Sequence, residues 1–340
     1  MLRRLLFLGL VVAFVWVVHS RFDEIRDLTA TLLAGRWPWI LSAILLQIVY
    51  WVSYALLFRA SFAVVGVHSP LRSLIPLVLA SVFVNSATPS GGTGGIALFV
   101  DDARRRGQSA ARAAAGMLLV NIADFGSFLV VLTVGLVILL LLHDLVVYEI
   151  VTAFLMYTYV GVMVAVLLLG LWRPDRLRRL LQRVQQGVNR VGAWLRYPTI
   201  LDENWSDNNS REFEAAANQI AAHPDRLLEM SGIGLVAHVI NICTLYSIFL
   251  AFNIKGSLGI IIAGYAMTRL FWIISPTPNG IGIVEALMPV VYTSLGLETA
   301  GATIITVAYR GISFWFPFVL GFFLLRRSLL RNSGDEALPI

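Results

Sequence analysis

Six stretches of this chain are apolar over about 20 residues, the length a helix needs to cross the hydrocarbon core of a bilayer: Leu2–Ser20, Pro38–Phe58, Ala113–Leu142, Val146–Leu171, Ser231–Phe252 and Ala300–Leu325. In lipid every backbone polar group must be satisfied within the segment, so these runs are predicted to be helices. Two further apolar stretches, Ser73–Val100 and Ser257–Leu295, carry proline and glycine near their middles and do not read as straight helices. Composition agrees: 58% of residues are hydrophobic and 14% charged, against about 45–50% and about 25% in soluble domains. The expected fold is an all-α integral membrane protein, a single transmembrane domain over residues 1–340.

Formal net charge is +6, carried almost wholly by arginine, with Lys255 the only lysine. These arginines flank the apolar runs, so they are read as topology signals and not as a nucleic-acid surface. Cys243 is the only cysteine, which excludes an intrachain disulfide and a cysteine-based metal cluster. Met1-Leu2-Arg3-Arg4 and the apolar run after it resemble a signal peptide, but no small-x-small cleavage site follows; a retained first helix is expected.

Arginine placement then orders the chain across the membrane. Arg3 and Arg4 put the N-terminus on the cytoplasmic side, and two spans bring the chain back there at Arg59 and Arg72. Arg104, Arg105, Arg106 and Arg112, beyond the first broken stretch, belong on the same side. That stretch is therefore expected to enter and leave on one face as a re-entrant hairpin; Gly91–Val100 as helix is only about 15 Å long, half a bilayer. Two more spans return the chain to the cytoplasm at Trp172–Arg179, where a polar insertion, about 172–230, begins. Within it Leu177, Leu180, Leu181, Val184, Val188, Val191 and Leu195 recur at helical spacing among arginines. That pattern suits either a helix on anionic headgroups or one packed on the protein. Asp202–Ser210 reads as a mobile loop. By the same accounting the second broken stretch opens from the outer face and both termini are cytoplasmic, in a multi-pass protein of the cell membrane.

The two broken stretches look related. Thr88-Pro89-Ser90-Gly91 and Thr277-Pro278-Asn279-Gly280 lie 189 residues apart, and at this offset nine of the 33 positions from 85 to 117 are identical without a gap. With the opposite sides of entry, this predicts an inverted repeat: unit 1 at about 38–142 and unit 2 at about 231–325, each a span, a broken hairpin and a span. Such repeats build secondary transporters whose sites lie where broken helices meet near the midplane.

Ionisable groups inside spans cost at least about 2.5–3.5 kcal/mol on insertion scales, so they are expected to face a cavity or a partner. Asp124, with Asn121 one turn earlier, Arg269, Glu285 and Arg310 are the candidates. Their charges cancel, which leaves two readings open: contact with a polar substrate group, or ion pairing that only fixes the packing. At the breaks, Asn85, Thr88 and Asn279 add polar side chains, and Gly91, Gly92 and Gly280 leave backbone exposed at helix N-termini that favour anions. Close helix packing explains the glycines equally well. No nucleophile elbow, Walker A or HExxH pattern occurs, and the histidines lack metal-ligand spacing. Neither a cofactor nor a metal is expected. Asp101-Asp102 could hold a divalent ion but abuts an arginine cluster.

Pro278-Asn279-Gly280-Ile281-Gly282-Ile283-Val284-Glu285-Ala286, then Gly296, Arg310 and Phe314-Trp315-Phe316-Pro317, resemble the transmembrane region of lysylphosphatidylglycerol synthases, a flippase-like family. Thr88–Gly95 resembles the family's first-half motif, departing from it where Ile96 stands opposite Glu285. The resemblance spans most of residues 1–330. It implies translocation of a lipid with a polar, charged or aminoacylated headgroup between leaflets, so membrane lipids are the expected partners. In bifunctional relatives an aminoacyl-transferase domain follows; with its sequence ending at Ile340, this chain is expected to lack one and not to be an enzyme. Two other readings remain: a membrane enzyme acting on a lipid-linked substrate, and a non-transporting scaffold that interacts through residues 172–230. Assembly into a homo-oligomer is left open.

Overall fold

The computed structural model describes residues 30–87, 93–142, 146–194 and 201–335, and among these there are helices and no strand. Five helices are long and apolar enough to cross a membrane. They are α1 (Trp37–Val64), α4 (Ala110–Leu142), α5 (Val147–Trp172), α8 (Pro224–Ala251) and the continuous run Thr299–Arg326, made of α11 (Thr299–Arg310), a π-helical turn (Gly311–Trp315) and the start of α12 (Phe316–Asp335). These match five of the six expected spans; Leu2–Ser20 lies outside the described residues.

The broken stretches resolve into pairs of shorter helices. The stretch expected as unit 1 holds α1, α2 (Leu71–Ala87), α3 (Thr93–Arg105) and α4, with residues 88–92 outside the described residues. Unit 2 runs α8, α9 (Leu258–Ile274), an interruption, α10 (Ile283–Ser294) and α11–α12. The second interruption is visible in detail. Ser275 ends α9, Pro278–Gly280 forms one 3-10 turn, and Asn279, Gly280 and Gly282 take positive φ of 50°, 70° and 84°. Asn tolerates that region and glycine enters it without steric cost. At Gly280 a side chain is excluded twice, since an added Cβ would also lie 3.1 Å from the Trp272 backbone.

Helix α1 makes its largest contact with α8, and the two run antiparallel. The Arg36 amide donates to the Ala251 carbonyl (2.9 Å), Gln47 donates to Asn241 (2.8 Å), and Ser61 meets Met230. As one number rises the other falls. Two further crossings join the units: Gly321 of α12 sits against Leu79 of α2, and Gly135 of α4 against Ala266 of α9. Both of these pairs also run antiparallel, with Phe83 near Phe318 in the first and Ile138 near Gly259 in the second. Polar groups and small residues, not the hydrophobic effect, supply specificity between helices in lipid. Helix α5 is the most lipid-like in its surface, with Val147, Phe154 and Val162 exposed.

The insertion forms two helices, α6 (Pro174–Trp194) and α7 (Trp205–Ala222). Here one expectation is corrected: Asp202–Ser210 is not a loop throughout, because α7 begins at Trp205. The run of Asp, Asn and Ser reads as a turn, yet these residues also suit a helix start, where side chains serve free N–H groups. Ser206 and Ser210 are buried, Asp207 binds Arg178 of α6 through two bonds of 2.6 and 2.7 Å, and Phe213 packs on Gly170 of α5. Helix α7 is thus packed on the protein, whereas α6 leaves Leu180 and Val184 exposed.

A Cβ at Gly321 would lie 2.2 Å from the Leu79 carbonyl oxygen, a backbone atom that cannot swing aside. Gly321→Ala should therefore destabilise the protein by about 1–3 kcal/mol. A fall in its melting temperature in detergent, absent for alanine at the open Gly161 of α5, checks this.

Candidate functional site

Near the middle of the bundle, Arg269 in the penultimate turn of α9 donates from Nη2 to Asp124 Oδ2 of α4 at 2.7 Å. Asp124 is 1% exposed, and the Tyr54 hydroxyl approaches the same oxygen at 3.4 Å. His238 of α8 stands behind the pair. Its Nε2 lies 3.1 Å from the Asp124 carbonyl oxygen, which can only accept. Nε2 therefore carries a proton, and in the neutral ring Nδ1 accepts from the Tyr265 hydroxyl 2.7 Å away. The carboxylate is held from several elements at once, as a buried charge requires.

Arg310 makes the second ion pair. Its Nε donates to Glu285 Oε1 at 2.5 Å, while Glu285 Oε2 accepts from the Gly282 amide at 2.8 Å. Glu285 therefore caps α10 and neutralises Arg310 in one placement, the reach-back of an N3 glutamate. One free N–H of that helix end is consequently occupied by the chain's own carboxylate. At the start of α3 Ile96 cannot do this, and Asn85 of α2 serves that helix end: its Oδ1 accepts from the Gly95 amide at 2.7 Å. Asn279 ties the units together, donating to Ser86 Oγ (2.5 Å) and the Val82 carbonyl (3.2 Å) of α2.

Arg269 and Arg310 both line a cavity of about 130 Å³ between the units, which Asn85, Asn241 and Asn279 also line with Tyr50, Trp51, Tyr54, Tyr265 and Tyr309. It adjoins a second cavity of about 320 Å³ lined by Asn121, Tyr159 and Thr277, and Tyr54, Asn85, Trp272 and Asn279 border both. The level is close to mid-span: Tyr50 is central in α1 and Arg310 in Thr299–Arg326. The π-helical turn starts directly after Arg310; its extra residue per turn sets the register of the aromatic residues that follow, a distortion common at functional positions.

The family model described as lysylphosphatidylglycerol synthase TM region matches residues 4–321. The chain belongs to that family. A UPF0104 membrane protein of Methanothermobacter thermautotrophicus is 25% identical over 300 residues, covering 83% of each chain. One from Pyrococcus horikoshii is 29% identical over 126 residues, 36% of this chain and 38% of the relative.

Of the residues singled out in this lysylphosphatidylglycerol synthase TM-region protein, Asn85, Arg269, Asn279 and Arg310 converge on the smaller cavity and Asn121 on the larger. Asp124 and Glu285 pair with these arginines and line neither cavity. Gly280 is a buried turn residue. Thr88, Gly91 and Gly92 lie outside the described residues. The tyrosines, Trp51, Asn241 and His238 are additions. Gln47, His238 and Asn241 carried a signal, being polar groups deep in spans; the aromatic residues did not, since spans hold many that face lipid.

Removing one partner of a buried pair strands the other charge at a cost of about 3–5 kcal/mol. Asp124→Asn should lower the melting temperature of the purified protein sharply. The double variant Asp124→Asn, Arg269→Gln should recover part of that loss, and thermal melts of the two in one detergent check it.

Proposed function

We propose that this protein is a lipid flippase or transporter that moves a polar-headgroup membrane lipid between leaflets, with the headgroup in the cavity between the units and the tails in the bilayer. The observation that carries this reading is the pair of arginines that line one cavity at mid-span. Charged groups there are costly and are kept where they serve a pathway or a partner. Family membership agrees with it. So does the arrangement of the two units: we read α1–α4 and α8–α12 as an inverted repeat, because they share an element order and meet in antiparallel pairs, α1 with α8, α2 with α12 and α4 with α9. Re-entrant hairpins α2–α3 and α9–α10, six spans, cytoplasmic termini and residence in the cell membrane belong to the same proposal.

The enzyme reading finds little support, because its nearest acidic pair is engaged: Asp101 pairs with Arg105 and Asp102 with Arg106 at 2.7 and 2.9 Å. Reconstitution into vesicles with fluorescent lipids in one leaflet tests transport. Wild type should accelerate leaflet exchange, and Arg310→Ala and Glu285→Gln should slow it by about tenfold or more, the scale of losing one charge-assisted bond. Exchange at the wild-type rate in both variants would remove the cavity from the pathway.

A further inference from the structure

Resting on the transport reading, the chemistry of the cavity narrows what its substrate carries. Arg269 and Arg310 both line the cavity and their carboxylate partners do not; Asp124 is the more buried member of its pair, while Glu285 keeps more exposure than Arg310. Among the described residues that line the two cavities there is no aspartate or glutamate, and the intervening residues 88–92 contain none in their sequence. The wall therefore offers positive charge and donors, with the balancing negative charge set back.

Two donors are left over. Arg269 Nε and the Trp51 indole Nε1 are buried and have no hydrogen-bond partner. Buried donors without partners are rare and costly, which points to an acceptor that completes them. That acceptor carries several oxygens, since a guanidinium fork recognises carboxylate and phosphate through paired bonds.

The aromatic lining raises the opposite option, a cage for an ammonium group. Geometry argues against it. The Arg269 guanidinium lies 4.2 Å over the Trp272 ring and that of Arg310 4.2 Å over Phe314, so the protein's own cations already occupy these two faces. An incoming ammonium would meet two like charges and no carboxylate.

We propose that the cavity is an oxyanion site for the phosphate of an anionic phospholipid, held by Arg269, Arg310 and Trp51, and that it selects against the ammonium of an aminoacylated headgroup. The smaller cavity takes the phosphate, and the adjoining one takes the remaining polar part of the headgroup.

Equilibrium binding to the purified full chain tests this without requiring transport. The probes are phosphatidylglycerol, diacylglycerol, lysyl-phosphatidylglycerol and glycerol 1-phosphate, each competing with a fluorescent phosphatidylglycerol. Phosphatidylglycerol should bind about tenfold or more tightly than diacylglycerol and the lysyl lipid, the scale of hydrogen bonds to a charged group. Arg310→Gln strands Glu285 and can unfold the protein, so Trp51→Phe, which keeps a ring and removes one N–H, is the second arm. It should weaken phosphatidylglycerol by about fivefold and leave diacylglycerol unchanged. Equal binding of diacylglycerol, tighter binding of the lysyl lipid, or no effect of Trp51→Phe would overturn the proposal. Glycerol 1-phosphate competing as well as the lipid would overturn the lipid as its source while leaving an oxyanion site. Selective binding of phosphatidylglycerol without leaflet exchange would uphold this inference and sink the transport reading instead.

Discussion

Two arginines buried at mid-span are the constraint on which the rest of the arrangement depends. A guanidinium does not lose its proton in a protein, so the fold has to neutralise each one or face it to water. It neutralises both: Asp124 and Glu285 bind Arg269 and Arg310, and the two arginines also line one cavity. Each carboxylate is itself held by a further group, Asp124 by the Tyr54 hydroxyl with the His238 ring beside it, Glu285 by capping the helix it sits on. The breaks, the positive-φ turn at Asn279–Gly280 and the π-helical turn after Arg310 are the backbone features that bring these groups to one level. Irregular backbone at membrane depth is tolerated where protein or a wet cavity satisfies it, and here Glu285 and Asn279 bond the break after α9 to the rest of the protein.

Much of this was legible in the sequence because lipid makes polar residues conspicuous. Asp124, Arg269, Glu285 and Arg310 stand out in apolar runs, and all four take part in the two ion pairs. The partner of Arg269 was harder to read, because Asp124 lies 145 positions away and no local pattern links them. Charge balance made ion pairing possible, but the capping of Gly282 by Glu285 depends on turn geometry. The 189-residue offset marked the two breaks and also the asymmetry at Ile96. It did not reveal that Asn85 compensates, since Asn85 precedes its break and falls opposite Ile274. Tyrosines on one face of α1 and Tyr265 and Tyr309 of unit 2 carry no sequence mark that separates a cavity lining from a lipid-facing belt. Asp202–Ser210 misled for the opposite reason, because residues that favour turns also favour helix starts.

The two open readings of the intramembrane charges, substrate contact and packing, turn out not to exclude each other. Both carboxylates are bonded to groups of the protein. The arginines pair with them and still present donors to the cavity, and Arg269 Nε remains without a partner. Packing fixes the guanidiniums in place, and this pre-organisation is what a recognition site for a headgroup needs. On the proposed inverted repeat, the same cavity lies between the two units, with α1 and α8 as the shared seam.

The most direct measurement is a cryo-electron microscopy map of the protein in nanodiscs containing phosphatidylglycerol. The account predicts headgroup density between the Arg269 and Arg310 guanidiniums, beside Trp51, with acyl density leading to the bilayer. A map in which the arginines keep their carboxylate partners, the cavity is closed by side chains and lipid density is confined to the outer belt would contradict it.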